Sequence, residues 1–216
     1  MTDRIMLSVK DWIESRDFDD VSIDIRKDLI VVSGTVAFKF YYEGYETILS
    51  DKFTLKILVY RNYPEKIPDI VELDNKIPDD FHKNGRSLCL GTPLEMLLYA
   101  NTNCVEAFLD KYLTSYLMSF MFYREYGICP YGDRSHGAQG KLEHLKEYFN
   151  VSEEDLVLQL LNLAITNDLG RNEKCCCLSG LKFKKCHLKE VEYLKRSISK
   201  HNLEGTYKEL SNFVKI

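Results

Sequence analysis

Long apolar runs are missing from this 216-residue chain. The longest charge-free apolar stretch, Tyr112–Tyr123, falls short of the ~20 residues that span a bilayer. Asp3, Arg4, Lys10 and Asp11 break up the first residues, so no secretion signal is expected. Missing too are internal repeats, low-complexity tracts, a serine nucleophile elbow, a phosphate-binding glycine loop and a dinucleotide fingerprint. Cysteine is present in a form that does not suit disulfides: the count of seven is odd, and Cys175, Cys176 and Cys177 are adjacent. These absences describe a cytoplasmic, soluble protein with reduced thiols and no membrane partner. Its 45% hydrophobic and 29% charged residues supply an ordinary core and exclude disorder across the whole chain. The length suits one domain over residues 1–150 and a smaller one over 151–216.

Charge is unevenly spread. Residues 171–200 hold nine Lys or Arg against three Glu, so this segment is positive while the chain as a whole carries -4. Such asymmetry fits an acidic partner for the tail, or a solvated face that neutralises a local anionic site.

Along the chain, Ile5, Val9, Trp12 and Ile13 recur at helical spacing, predicting an amphipathic helix over residues 3–16. The period then changes to two. Val36, Phe38, Phe40 and Tyr42 alternate, as do Phe53, Leu55, Ile57 and Val59 after a turn containing Gly44, which predicts strands at about 22–26, 29–42 and 47–60. Pro64 and Pro68 mark a chain crossing before a fourth strand through Ile70, Val71 and Leu73. Ile77–Pro93 shows no periodicity and reads as one long loop. Asn103 followed by Glu106 has capping-box spacing, and the stretch after it is apolar on nearly every face, as a buried central helix would be. Gly127–Gly140 reads as a loop, KLEHLKEYFN as helix, and a further helix follows a cap at Ser152 and ends near Gly170. Helices are expected over about 188–200 and, shorter, near 204–214. The fold class is α+β.

The string CCCLSGLKFKKCH offers Cys175, Cys177, Cys186 and His187, and four such ligands in one short segment suit tetrahedral zinc. A reactive or redox cysteine cluster without metal is the other reading. Four protein ligands leave no open position, so such a zinc would not be catalytic. Three thiolates and a neutral imidazole around a divalent ion leave one negative charge, which Lys182, Lys184 and Lys185 offset, so nucleic acid is not an expected partner. The string resembles the SEC-C motif, the short metal-binding tail of the bacterial secretion ATPase and many other bacterial proteins. Cys175, Cys177, Ser179, Gly180, Lys182, Phe183, Lys184, Lys185, Cys186 and His187 fit its pattern in register. Cys176 stands where proline is usual and Leu178 where a glycine is usual. The resemblance implies a docking or stabilising module over residues 175–187.

A second constellation runs through YRNYPEKIPDIVEL and FHKNGRSLCLGTP to the buried helix. The element order over residues 3–125, Tyr63-Pro64 with Pro68, and Leu88-Cys89-Leu90 resemble the ubiquitin-conjugating enzymes. His82-Lys83-Asn84 looks like a variant of that family's HPN tripeptide. It lies closer to the cysteine than the family pattern has it and lacks the proline, so Asn84-Gly85 also reads as a tight turn. The resemblance makes Cys89 a thioester-forming nucleophile and Asn84 an organiser of the loop or oxyanion, with His82 beside it. The chemistry suits these types, since a thiolate is both a good nucleophile and a good leaving group. A buried structural thiol is the bland reading of Cys89. Cys104 is expected to be a packing residue in the first turn of the central helix. Asp133, Arg134 and His136 form a secondary candidate site, with His136 as an acid-base group, or else a loop-stabilising network.

A conjugating-like core with LCLGTP and a SEC-C tail is similar to proteins of short type II antiphage (CBASS) operons in bacteria. That similarity implies that Cys89 carries the C-terminus of a protein substrate, a cyclic-oligonucleotide synthase of the cGAS-like nucleotidyltransferase class, as a thioester. The chain has no nucleotide-binding loop to activate a carboxylate, so activation requires a partner or an already reactive acyl donor. The alternatives are a non-catalytic conjugating-like binding module and a cysteine hydrolase of such conjugates.

Overall fold

A computed structural model describes residues 3–42, 45, 47–130 and 137–215. The expected turn at Gly44 and the secondary site at Asp133, Arg134 and His136 lie outside the described residues. The elements are α1 (Arg4–Glu14), β1 (Phe18–Ile25), β2 (Leu29–Tyr41), β3 (Ile48–Tyr60), β4 (Asp69–Glu72), β5 (Lys83–Asn84), β6 (Ser87–Leu88), α2 (Pro93–Ala100), α3 (Val105–Phe108), a π-helical turn (Leu109–Thr114), α4 (Ser115–Tyr126), α5 (Gly137–Phe149), α6 (Glu154–Thr166), a 3₁₀ turn (Phe183–Lys185), α7 (Leu188–Ser197) and α8 (Lys200–Val214). The α+β class and the antiparallel meander are as the sequence patterns predict. No described helix is long and apolar enough to cross a membrane.

The chain forms two compact units, one of residues 1–91 and 102–133 and the other of 92–101 and 134–216. The expected boundary at 150 therefore falls inside the second unit. Helix α5 buries Leu142, Leu145 and Phe149 among the apolar residues of the C-terminal helices, and α2 adds Leu94 and Leu98 to the same core.

In the first unit the sheet order is β1-β2-β3-β4-β6-β5, all antiparallel, so the expected four strands gain a two-rung hairpin. Along β3, alternate residues Phe53, Leu55, Ile57 and Val59 are buried, the period-two pattern of a strand with one face on a core. Facing that core, α1 buries Val9 and Trp12, and Trp12 Nε1 donates to Asp110 at 3.0 Å in the π-helical turn. The central segment buries Phe108, Leu113, Leu117 and Phe120, as its all-round apolarity requires.

Several ends differ from the sequence reading. The N-cap of the central helix is Cys104 rather than Asn103, and the Glu106 N–H donates to Ser8 Oγ of α1 at 2.8 Å. The cap thus comes from a residue that the chain brings across by packing. Cys104 lies outside the first helical turn and is exposed, so it is not the expected packing residue. Helix α2 occupies what reads as loop and linker; Thr92-Pro93-Leu94-Glu95 is its start signal, with Pro93 at the first position. Helix α6 begins after Glu153 rather than with a Ser152 side-chain cap, and ends before Asn167, which takes the left-handed conformation (φ 65°) in place of Gly170. The last helix is longer than expected, because Ser199 Oγ accepts the Asn202 N–H at 3.3 Å and starts α8 at Lys200.

Candidate functional site

Among the described residues, two places gather chemistry-bearing side chains, one in each unit. In the second unit, Lys174 pairs with Lys182 in an antiparallel bridge, and the Cys175 N–H donates to the Leu181 carbonyl at 2.9 Å. The chain reverses between them through Leu178 (φ 60°) and Gly180 (φ 75°), two consecutive-but-one residues in the left-handed region. Phe183, 3% exposed, anchors the following 3₁₀ turn in the helical core. That turn delivers Cys186 and then His187, the N-cap of α7.

All four expected metal ligands are brought together. The ligand atoms of Cys175, Cys177, Cys186 and His187 lie within 4.8 Å of one another. His187 Nδ1 is 3.3 Å from the sulfurs of both Cys175 and Cys186, and Cys177 Sγ is 3.3 Å from Cys186 Sγ. Zinc–sulfur bonds of ~2.3 Å in a tetrahedron give ligand separations of ~3.8 Å, so the cluster has the size such an ion needs. His187 Nε2 is 2.8 Å from the Phe149 carbonyl. A carbonyl only accepts, so Nε2 carries the proton and Nδ1 presents its lone pair to the sulfurs. Cys176 is half-buried beside the cluster and outside the ligand set.

Electrostatics within the cluster are those of thiols competing for protons. Burial pushes the Cys175 thiol up. Burial also works against ionising Cys177, but the Ser179 side chain and backbone, with the neighbouring thiols, bring it down to about 6. Cys186 goes the other way, to about 11, through burial and the sulfurs of Cys177 and Cys175, which outweigh the Ser179 hydroxyl. Cys175, Cys177 and Cys186 would hold a divalent cation as thiolates, which would end this competition. Ser179, whose Oγ is 3.3 Å from Cys177 Sγ and 3.5 Å from Cys186 Sγ, is a supporting residue that the motif pattern already contained.

In the first unit, β5 and β6 form a tight hairpin in which Asn84 pairs with Ser87 around Gly85 (φ 61°). Asn84 is exposed at its tip. The Cys89 N–H donates to the His82 carbonyl at 2.7 Å, one rung beyond the pairing of Lys83 with Leu88. At ~3.4 Å per residue, Asn84 is two residues, ~7 Å, along the hairpin from that rung. Of the expected pair, His82 is therefore the one whose backbone meets Cys89. Cys89 is half-buried, and His82 adopts a positive φ of 41°. Tyr116 of α4, 7% exposed, reaches the same spot, its hydroxyl 2.9 Å from the Phe81 carbonyl and 3.2 Å from that of His82. Burial, then the charges of Cys89 and Glu72, drive its pKa well upward. Nothing in the local sequence marks Tyr116, an aromatic among aromatics in an apolar helix.

Residues 171–189 match the family described as the SEC-C motif. The matched segment contains the four clustered ligands, so a metal-binding motif and a metal-sized cluster coincide in this chain. No curated protein and no solved structure matches the chain.

Proposed function

We propose that this protein is an acyl transferase resembling the ubiquitin-conjugating enzymes, with Cys89 as its nucleophile and a structural zinc in the SEC-C segment. The observation that carries the reading is the setting of Cys89. It is a half-buried thiol just beyond a short hairpin, its amide tied to His82, on a unit built from an N-terminal helix, an antiparallel meander and a buried central helix. In the proposed reaction the Cys89 thiolate attacks the carbonyl carbon of a reactive acyl donor, whose leaving group departs with the bonding pair. The donor's C-terminus is then a thioester on Sγ. An acceptor amine attacks the same carbon, loses its proton and expels the thiolate, giving an amide. By the resemblance to antiphage operon proteins, the donor is a cyclic-oligonucleotide synthase and the reaction serves antiviral defence.

Zinc, when bound through Cys175, Cys177, Cys186 and Nδ1 of His187, cross-links the knuckle and has no open position for substrate. The knuckle's exposed lysines at 182, 184 and 185 fit it to a docking role as well as a stabilising one.

One observation favours a non-catalytic binding module instead: Asn84, expected to steady an oxyanion, is exposed at the hairpin tip. Intact mass and non-reducing gels decide between the two. Wild type and Cys89→Ser are each coexpressed with a cyclic-oligonucleotide synthase, the proposed donor. A thiol-sensitive adduct in wild type, replaced by a thiol-resistant oxyester in the variant, is the expected result. Copurification of both proteins with the synthase, with no adduct on either, would overturn the transferase reading.

A further inference from the structure

Tyr116 and Cys89 come from different elements and meet at one backbone carbonyl. The His82 carbonyl accepts the Cys89 N–H at 2.7 Å, and the Tyr116 hydroxyl is 3.2 Å from the same oxygen and 2.9 Å from the Phe81 carbonyl. A hydroxyl has one proton to give. It therefore spans two successive peptide planes, donating to Phe81 and leaving the His82 oxygen to the Cys89 amide. These two planes flank the Cα of His82, whose φ of 41° lies in a region that side-chain-bearing residues seldom adopt. Such a conformation persists only where its surroundings over-determine it. Among the restraints here are the Tyr116 hydroxyl, the Cys89 amide and the Phe81 ring, which is 5% exposed and packs edge-on against the rings of His82, Tyr116 and Phe120.

We propose that Tyr116 is a positioning residue for Cys89: by donating to the Phe81 carbonyl its hydroxyl acts as a clamp on the peptide plane that precedes His82, holds His82 in the left-handed conformation, and so fixes the segment to which the Cys89 amide is tied. The inference rests on Cys89 being the acyl-carrying nucleophile. Because burial and nearby negative charge keep the Tyr116 hydroxyl protonated, the clamp holds whether Cys89 is thiol, thiolate or thioester. Glu72, buried close by, is engaged elsewhere, accepting the N–H groups of Lys76 and Ile77 at 3.2 and 3.3 Å.

The test uses full-length wild type, Tyr116→Phe, His82→Gly and the double variant. Peptide-level mass spectrometry follows alkylation of Cys89 by iodoacetamide, with the exposed Cys104 as internal reference. Hydrogen exchange follows the Cys89 amide. Phenylalanine keeps the ring and removes only the clamp, so Cys89 amide exchange should rise roughly tenfold, the factor that loss of about one hydrogen bond of local stability gives. Alkylation of Cys89 should rise about threefold with that of Cys104 unchanged, because a freer segment admits a small reagent more often. Adduct formation with the large acyl donor should fall, because it needs the thiol held in one geometry. Glycine at 82 adopts a positive φ freely, so the double variant should return towards wild type, a rescue that ring packing alone would not produce.

Exchange and alkylation in Tyr116→Phe within twofold of wild type would overturn the clamp, as would equal acceleration at Cys104 or failure of His82→Gly to rescue. Should Tyr116→Phe not fold, the double variant must fold and protect the Cys89 amide, or the route through His82 is wrong. Alkylation and exchange need no donor. An absent adduct on wild type therefore sinks the transferase reading alone, whereas equal adduct formation in wild type and Tyr116→Phe sinks the positioning role alone.

Discussion

His187 Nε2 lies 2.8 Å from the carbonyl oxygen of Phe149, so the metal-ligand cluster is tied to the last turn of α5 through the same ring that offers Nδ1 to the sulfurs. The tie has two consequences. It selects the tautomer competent to bind a cation, and it joins the end of α5 to the knuckle. Tyr148, the neighbour of Phe149, adds a second strut: its hydroxyl donates to the Glu190 carbonyl of α7 at 2.9 Å.

Metal removal should therefore unfold more than a surface loop. Cys175 and Phe183 belong to the core shared with α5, α6, α7 and α8. The protein as purified is expected to contain one zinc per chain by elemental analysis, and chelation should lower the unfolding midpoint of the second unit by about 10 °C, the shift that ~2 kcal/mol produces in a domain of this size. His187→Ala should lose the metal with similar effect. Full stability after complete metal removal would show that the cluster does not hold the unit together.

Ser8 serves as a helix cap from a distance. Its Oγ, in a residue 8% exposed, accepts the N–H of Glu106 at the start of the central helix. Ser8→Ala should cost about 1 kcal/mol in urea unfolding of the first unit. A cost near zero would show that the Glu106 N–H finds another acceptor.

Asp51 links three parts of the first unit: Lys76 after β4 at 2.8 Å, Arg124 of α4 at 2.6 Å, and the N–H of Lys52 at 2.7 Å. Burial raises its pKa, but these partners together prevail and hold it below the usual carboxylate value. A folded-state pKa below the unfolded one gives stability that is present above the unfolded value, ~3.9, and is lost as pH falls through the folded one. Asp51→Asn should thus be less stable than wild type by roughly 1 kcal/mol at neutral pH. Denaturation curves of the two should converge as the pH drops below about 4; a gap that persists at pH 2 would assign the effect to packing instead.

Gly34 leaves room for a bulge. A methyl at this position of β2 would stand 3.0 Å from Val21 Cα and 3.2 Å from the Asp19 carbonyl, both backbone atoms of β1 where its register shifts. Gly34→Ala should destabilise the first unit by about 1–3 kcal/mol and raise hydrogen exchange along β1 before the rest of the sheet. Unchanged exchange in β1 would show that the strand can yield at no cost.

The same contrast separates what was legible in the residue pattern from what was not. Alternation at Phe53–Val59 and helical spacing at Ile5–Trp12 each depend on one periodicity inside one segment, and both elements appear where predicted. The gathering of Cys175, Cys177, Cys186 and His187 is likewise local, since a tight turn at Ser179-Gly180 suffices to close it. Helix α2 was legible in principle through Thr92-Pro93-Leu94-Glu95, yet it follows directly on a Gly- and Pro-punctuated loop that masks its start. In α8, Gly205 interrupts the pattern and hides the first turns.

Amino-acid order alone determined the strand and helix periods, the metal-ligand spacing and the candidate thiol, because each is a relation among residues a few positions apart. Tertiary structure alone decided that Ser8 caps Glu106, that α5 joins the C-terminal core, that Phe149 selects the His187 tautomer, and that Tyr116 rather than Asn84 reaches the backbone at Cys89. Those pairings join groups tens of residues apart. A buried carbonyl or N–H must find a partner, and which group satisfies it is set by how whole elements pack, a choice that no local pattern encodes.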